Sequence, residues 1–193
     1  MRTNVRSIAG NWDKGHVLDK HTISSDFLGY DENGRPRFDT KRSEAGEALY
    51  QLKYQSDKLK APLLAAAIAT EVVPLLGEFG MIIPMPASKP RPWQPVTEVA
   101  RELGKLTGKT VIENLLVRTT QDQQLKDLAT KEEKKAALKD AFRAEEVITN
   151  DGRWNALLLD DLFDTGASME EATEALKRYN KVGSVYVAAL TWK

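Results

Sequence analysis

The sequence predicts an α/β fold: a mostly parallel central sheet flanked by helices, with a small N-terminal extension. Three observations predict it. The run Leu157-Leu158-Leu159-Asp160-Asp161-Leu162-Phe163-Asp164-Thr165-Gly166-Ala167-Ser168 reads as a short buried strand ending on two adjacent carboxylates, followed by a tight Thr-Gly turn. Ser168 then opens a helical stretch from Met169 to Tyr179. A continuous apolar run suits a strand covered on both faces. Second, short apolar runs alternate with stretches of helical periodicity from Ser43 onward, as in a parallel sheet with helices on both faces. Third, 193 residues suffice for one well-buried α/β domain with little left for a second.

In chain order, residues 1–42 form the extension, and residues 43–193 the main domain. The extension holds both histidines and Asn33-Gly34, a hairpin turn signal between short apolar segments. It is expected to be β-rich or irregular and packed on the main domain. From Ser43 to Gln55, Ala45, Ala48, Leu49 and Leu52 recur at helical spacing behind Glu44. Asp57 is placed to cap a second helix running to about Leu76. Gly80 to Met85 is a strand candidate. Val96 to Leu106 is helical, with Val96, Val99, Ala100 and Leu103 on one face. Val111 to Val117 reads as a strand, Lys131 to Leu138 as a charged helical piece, Asn155 to Asp160 as the signature strand and Ser184 to Leu190 as the last strand.

Composition narrows the function classes. Lysine plus arginine number 28 and aspartate plus glutamate 28, so no global field attracts nucleic acid or an anionic membrane. Cysteine is absent, which removes a disulfide framework, Cys-ligated zinc and a thiol nucleophile. The N-terminus lacks the succession that marks a signal peptide, and Ala61 to Leu76, broken by Glu71 and Pro74, is too short to span a bilayer. A cytoplasmic location is expected. Gly104-Lys105-Leu106-Thr107-Gly108-Lys109-Thr110 imitates a P-loop but has three residues between its glycines where the motif needs four. It also ends an amphipathic helix, so Gly108 reads as a helix C-terminal glycine and a P-loop NTPase is a remote alternative.

The chemistry concentrates in the signature run. Ligands of such sheets bind beyond the carboxyl ends of the strands. A glycine turn into a helix N-terminus offers backbone N–H groups to a phosphate. Paired carboxylates accept hydrogen bonds from sugar hydroxyls or hold a hydrated magnesium ion. A diol beside a phosphate is a ribose phosphate. The run resembles the ribose-phosphate signature of the type I phosphoribosyltransferases over twelve residues without a gap. The resemblance implies that Asp160 and Asp161 hold the hydroxyls of phosphoribosyl pyrophosphate (PRPP). Thr165, Gly166, Ala167 and Ser168 would hold its 5′-phosphate. Asp164 stands where some members keep an acid near the nucleobase, implying a proton-transfer role.

A narrower resemblance is to the ComF-like, competence-associated phosphoribosyltransferases. It rests on Met81-Ile82-Ile83-Pro84-Met85-Pro86 running into a basic loop, on Leu52-Lys53-Tyr54, on Leu116 to Lys126 and on Ala141-Phe142-Arg143. These cover about residues 45 to 193. It implies pyrophosphate contacts from Ala87, Ser88 and Lys89, with Arg91 behind them. Lys53 alone reads equally well as a solvated charge beside a buried Tyr54. The polar segment from Thr119 to Lys135 is a lid candidate that would bring Arg118 or Lys126 toward the leaving group. The chain departs from this family in lacking its N-terminal zinc ribbon. The extension stands in its place as a hood candidate, with Trp12, His16 and His21 available to stack on or protonate an acceptor, or else serving as packing residues.

Together these imply a glycosyltransferase (pentosyltransferase) that uses PRPP and Mg2+ to transfer phosphoribosyl to a nitrogen acceptor with release of pyrophosphate. Asp164, Lys89 and Arg118 would serve the chemistry, and Asp160 and Asp161 would reach the metal through the magnesium–PRPP complex. A non-catalytic PRPP-sensing or protein-interaction module is the alternative. The acceptor and the oligomeric state are open.

Overall fold

The protein is described by a computed structural model for residues 1–88, 93–119, 138 and 140–193. Its centre is a six-stranded sheet in the order β1-β2-β10-β9-β5-β6. These strands are β1 (Arg6–Ser7), β2 (Lys14–Lys20), β5 (Met81–Pro84), β6 (Thr110–Val111), β9 (Trp154–Phe163) and β10 (Val182–Trp192). Every neighbouring pair is parallel except β1 with β2. The predicted α/β class and mostly parallel sheet are therefore what the chain forms.

Helices α1 (Glu44–Tyr54), α2 (Lys60–Ala67) and α3 (Pro95–Thr107) cover one face. Their Leu49, Leu52, Leu64, Val99 and Leu103 pack on Leu18, Leu157, Leu159, Ala188 and Leu190 of the sheet. Helix α4 (Ala167–Arg178) covers the other face, where Met169, Ala172 and Leu176 meet Val17, Ile83, Leu158, Val187 and Ala189. Leu157, Leu158 and Leu159 thus alternate between two apolar layers, and all three are fully buried. This is why the strand reads as an unbroken hydrophobic run rather than an alternating one.

Several boundaries differ from the sequence expectation. β9 does not stop at Asp160: Leu162 pairs with Thr191 and Phe163 with Trp192, because β10 itself runs on past Leu190. The second helix does not reach Leu76. It gives way to a π turn at Ile68–Val72 and a 3-10 turn at Val73–Leu75 around Pro74, which has no N–H to offer a helix. Asp57 accepts from the Leu59 N–H at 3.1 Å but is not the cap residue, which is Leu59. The single strand expected over Val111 to Val117 is two: β6 in the main sheet, and β7 (Leu116–Arg118), which pairs antiparallel with β8 (Phe142–Ala144). Tyr54 is exposed, not buried. Gly108 has the left-handed φ of 66° that ends α3, and the Lys109 N–H returns to Gly104 O at 3.1 Å. The glycine pair there closes a helix and does not build a P-loop. The charged piece from Lys131 to Leu138 lies outside the described residues apart from Leu138, which is buried.

In the N-terminal region, β2 is a full member of the central sheet, paired with β10 from Lys14 to Lys20. The chain then forms a separate hairpin, β3 (Thr22–Tyr30) with β4 (Pro36–Arg42), turned at Asp31 to Arg35. Asp31 accepts the N–H groups of Asn33 and Arg35, each at 2.8 Å, and Gly34 takes a φ of 71°. At the hairpin's base the Ser43 hydroxyl donates to Lys20 O and accepts from the Gly46 N–H, capping α1. A Cβ on Gly46 would collide with the His21 carbonyl, so glycine lets α1 lie against the end of β2.

Candidate functional site

The chain leaves β5 for β6 on one side and β9 for β10 on the other, so the winding direction reverses between β5 and β9. In open parallel sheets a crevice forms at such a point beyond the carboxyl ends. Here it is a cavity of about 590 Å³, lined by Ser88 from the loop after β5, by residues 160–169, by Leu138 and by Lys193. The predicted Asp160, Asp161, Asp164, Thr165, Gly166, Ala167, Ser168 and Ser88 therefore converge on one cavity. A second cleft, about 670 Å³, lies between α1 and α2 and holds none of them.

Gly166 sits at the α4 N-cap with φ 83°, a backbone region open to glycine and costly for other residues. Phe163 lies 3.0 Å from where a Cβ would project, which closes the position further. No side chain caps α4; the nearest acceptor, Thr165 Oγ1, stands 3.5 Å from the Ala167 nitrogen. The Ala167 N–H has only this long contact, and the first-turn amides, which have no intrahelical acceptor, lie in the segment that lines the cavity.

The two carboxylates differ. Asp161 receives the Lys53 ammonium of α1 at 2.6 Å, with about a fifth of each side chain exposed (20% and 19%). Asp160 accepts the Asp161 backbone N–H at 2.7 Å. Its carboxyl is pushed up to about 7, first by burial and then by the Asp161 charge. The Asp161 N–H, Lys53 and Arg118 oppose that shift. Lys53 was not singled out as a site residue by the sequence. In the sequence it belongs to the Leu52-Lys53-Tyr54 segment and reads as a solvated charge, and no local pattern ties it to an acid on a distant strand.

Arg118 lies on β7 with its guanidinium 4.6 Å from the Phe142 ring centroid, close enough to Asp160 to act on it electrostatically. Asp164 is exposed at the rim, 3.7 Å from the Lys193 ammonium. Ala87 precedes Ser88 and is exposed. Lys89 and Arg91 lie outside the described residues, as does the lid candidate apart from Thr119.

Of the three hood candidates, Trp12 is a core residue. It is buried, gives its indole N–H to Ile8 O at 2.9 Å and meets Phe163 edge-on at 6.3 Å, so it has no free face for stacking. His16 sits well within β2, paired with Ser7 and in register with Ala188. His21 stands near the site: Nδ1 is 3.1 Å from Thr191 Oγ1, which donates to Asp161 O at 3.0 Å. Burial, then Arg42 and Lys53, hold its pKa below the ordinary histidine value.

No protein-family model and no curated protein sequence matches the chain. Solved structures do. Glutamine PRPP amidotransferase from B. subtilis superposes with a TM-score of 0.51 at 13% identity, covering 83% of this chain and 34% of that one. Adenine phosphoribosyltransferase from Leishmania tarentolae gives 0.47 at 10% identity, over 94% and 78% of the two chains. Leishmania donovani UMP synthase gives 0.40 at 15%, over 84% and 28%. The chain thus spans about a third of the length of the amidotransferase. At these identities the likeness is one of architecture, and it rests on the first of the three: the chain has the type I phosphoribosyltransferase fold.

Proposed function

We infer that the chain binds PRPP and transfers its phosphoribosyl group to a nitrogen acceptor, releasing pyrophosphate. One observation carries this reading: a carboxylate pair, an uncapped helix N-terminus behind a Gly166 turn and Ser88 of the neighbouring strand end share a single cavity. Asp160 and Asp161 accept the ribose hydroxyls. The Thr165–Ser168 turn binds the 5′-phosphate through amides and the Ser168 hydroxyl. Ala87 and Ser88, with Lys89 next in sequence, receive the pyrophosphate, and Arg118 adds positive charge from β7. The acceptor nitrogen forms its bond to C1 as the bond from C1 to the pyrophosphate oxygen breaks and the electron pair leaves with pyrophosphate. Asp164 at the rim takes the nitrogen's proton. The protein's work is electrostatic, directed at charge that grows on the leaving group.

Among the described residues no three His, Asp or Glu side chains converge as a protein-built cation site. Two neighbouring carboxylates, one already facing Lys53, fit a hydrated magnesium ion that arrives with the substrate and keeps most of its waters. Such an ion would neutralise pyrophosphate charge, with Asp160 and Asp161 reaching its waters. The β3–β4 hairpin leaves the sheet at the same carboxyl end, which supports residues 1–42 as the source of the hood. Among the described residues no helix is long and apolar enough to cross a membrane.

A screen of nitrogen acceptors with PRPP and magnesium, read by released pyrophosphate, tests the reading. Product with any acceptor that Asp160→Asn abolishes is expected. Tight PRPP binding with no product from any acceptor would instead favour a sensor, and absence of both would overturn the assignment.

A further inference from the structure

The β3–β4 hairpin makes a sheet of two strands by itself. Such ribbons are marginal in water unless a third strand or a packed layer supports them. This one has internal reasons to be weak. Asp26 stands directly opposite Asp39, a like-charge pair across the strands. Its rings are largely uncovered: Phe27, Tyr30 and Phe38 cluster with centroids 5.3 and 5.6 Å apart, yet are 54%, 70% and 54% exposed. Ile23 and Leu28 are exposed as well.

The two edges of the ribbon are unlike. β4 begins with Pro36 and carries Arg37, Lys41 and Arg42, the residues that keep an edge from pairing. β3 reads Thr-Ile-Ser-Ser-Asp-Phe-Leu-Gly-Tyr, nine residues with one charge and no proline or lysine. Its outer side is the unguarded one. Charge points to what covers it. Asp26, Asp31, Glu32 and Asp39 balance Arg35, Arg37, Lys41 and Arg42 within the hairpin. A surface that carries both signs equally is suited to its own copy, whereas a strongly anionic or cationic partner would call for an excess of one sign.

We propose that two copies of the chain pair β3 against β3 about a twofold axis at Ser25, which sets Asp26 opposite Ser24 and not its own copy, forming a four-stranded antiparallel sheet in the order β4-β3-β3-β4. Two strands related by such an axis run antiparallel, which continues the antiparallel pattern of the hairpin. Four strands supply what two lack. The seam is carried by the β3 backbone with Ile23, Phe27, Leu28 and Tyr30 beside it, while Phe38 lies one strand away on β4. The pairing does not depend on the proposed chemistry. It places each partner beside the carboxyl end of the other's sheet, because the hairpin leaves the sheet at His21, one hydrogen bond from Thr191.

Light scattering after size exclusion at micromolar concentration tests the proposal. A mass about twice the chain's 21.5 kDa is expected. Ile23→Lys with Leu28→Lys should return it to the single-chain value, with circular dichroism and melting of the main domain unchanged. A second test does not need that variant to fold. The chain has no cysteine, so mild oxidation of Ser25→Cys should give a covalent dimer, while Lys41→Cys on the guarded edge should not. A monomer throughout the concentration range, a dimer that persists in a folded double-lysine variant, open-ended growth, or failure of Ser25→Cys to cross-link would each overturn the pairing.

Discussion

Replacing Asp160 with Asn should stabilise the ligand-free protein, and more so as pH rises. In the folded chain this carboxyl is pushed up to about 7 from an ordinary 3.8. Between those values the folded state keeps a proton that the unfolded state has released. Stability therefore falls as pH rises through the window and is fully diminished above the folded value. At about 1.4 kcal/mol per pH unit, the separation corresponds to at most about 4 kcal/mol. Asn abolishes the charge but keeps an oxygen to accept the Asp161 N–H, which now reaches Asp160 at 2.7 Å. Urea unfolding by linear extrapolation at pH 5 and pH 8.5 measures the difference. The variant's gain should grow by about 2–3 kcal/mol between those pH values, an upper estimate from the same linkage. An equal gain at both, or a less stable variant at pH 8.5, would refute the reasoning. Such a gain on disarming an acid is the signature of a residue kept for a ligand at the expense of stability.

Lys53→Ala should cost on the order of 1–3 kcal/mol at pH 8, less than for a fully buried pair because a fifth of each partner reaches solvent. It should also raise the Asp160 pKa further, which NMR of the carboxyl carbon would detect, and Lys53→Arg should restore both. Gly166→Ala should lose about 1–2 kcal/mol to its left-handed backbone. Because it tilts the amides of the turn, it should also weaken ribose 5-phosphate binding at least about tenfold, a 1.4 kcal/mol effect, in calorimetry. Trp12→Ala should destabilise by about 3–5 kcal/mol in thermal or urea melts, as loss of a buried indole does, and leave acceptor preference unchanged.

Much of the fold was legible because its best elements are governed by local pattern. Leu157 to Leu159 are buried on both faces and read so, and α3 and α4 declare their apolar stripes. The Thr165–Ser168 turn was readable because a left-handed Gly166 at a helix start needs glycine. What was not legible depends on distant partners. β2 sets Val17 and Leu18 among Lys14, His16, Asp19 and Lys20 with no clean alternation, and only pairing with β10 makes it a sheet strand. β9 runs on through two acids that no strand preference favours, because Asp160 pairs with Ala189 and, beyond the acids, Leu162 and Phe163 pair with Thr191 and Trp192. Lys53 reaches Asp161 from a helix far away in sequence, so its place in the site emerges only from how α1 lies against the sheet. Trp12 reads from the sequence either as an aromatic available to an acceptor or as a packing residue, and its burial against Phe163, between segments that sequence spacing does not relate, makes it the second.

Calorimetric titration of PRPP with magnesium into the wild type and into Asp160→Asn with Asp161→Asn tests the central assignment most directly. Each carboxylate replaced removes a charge-assisted hydrogen bond worth about 1.5–3 kcal/mol. The double variant should therefore bind at least about a hundredfold more weakly, a loss of 2.8 kcal/mol or more, while circular dichroism stays unchanged. Equal affinity in a folded double variant would contradict the account and place the ribose elsewhere.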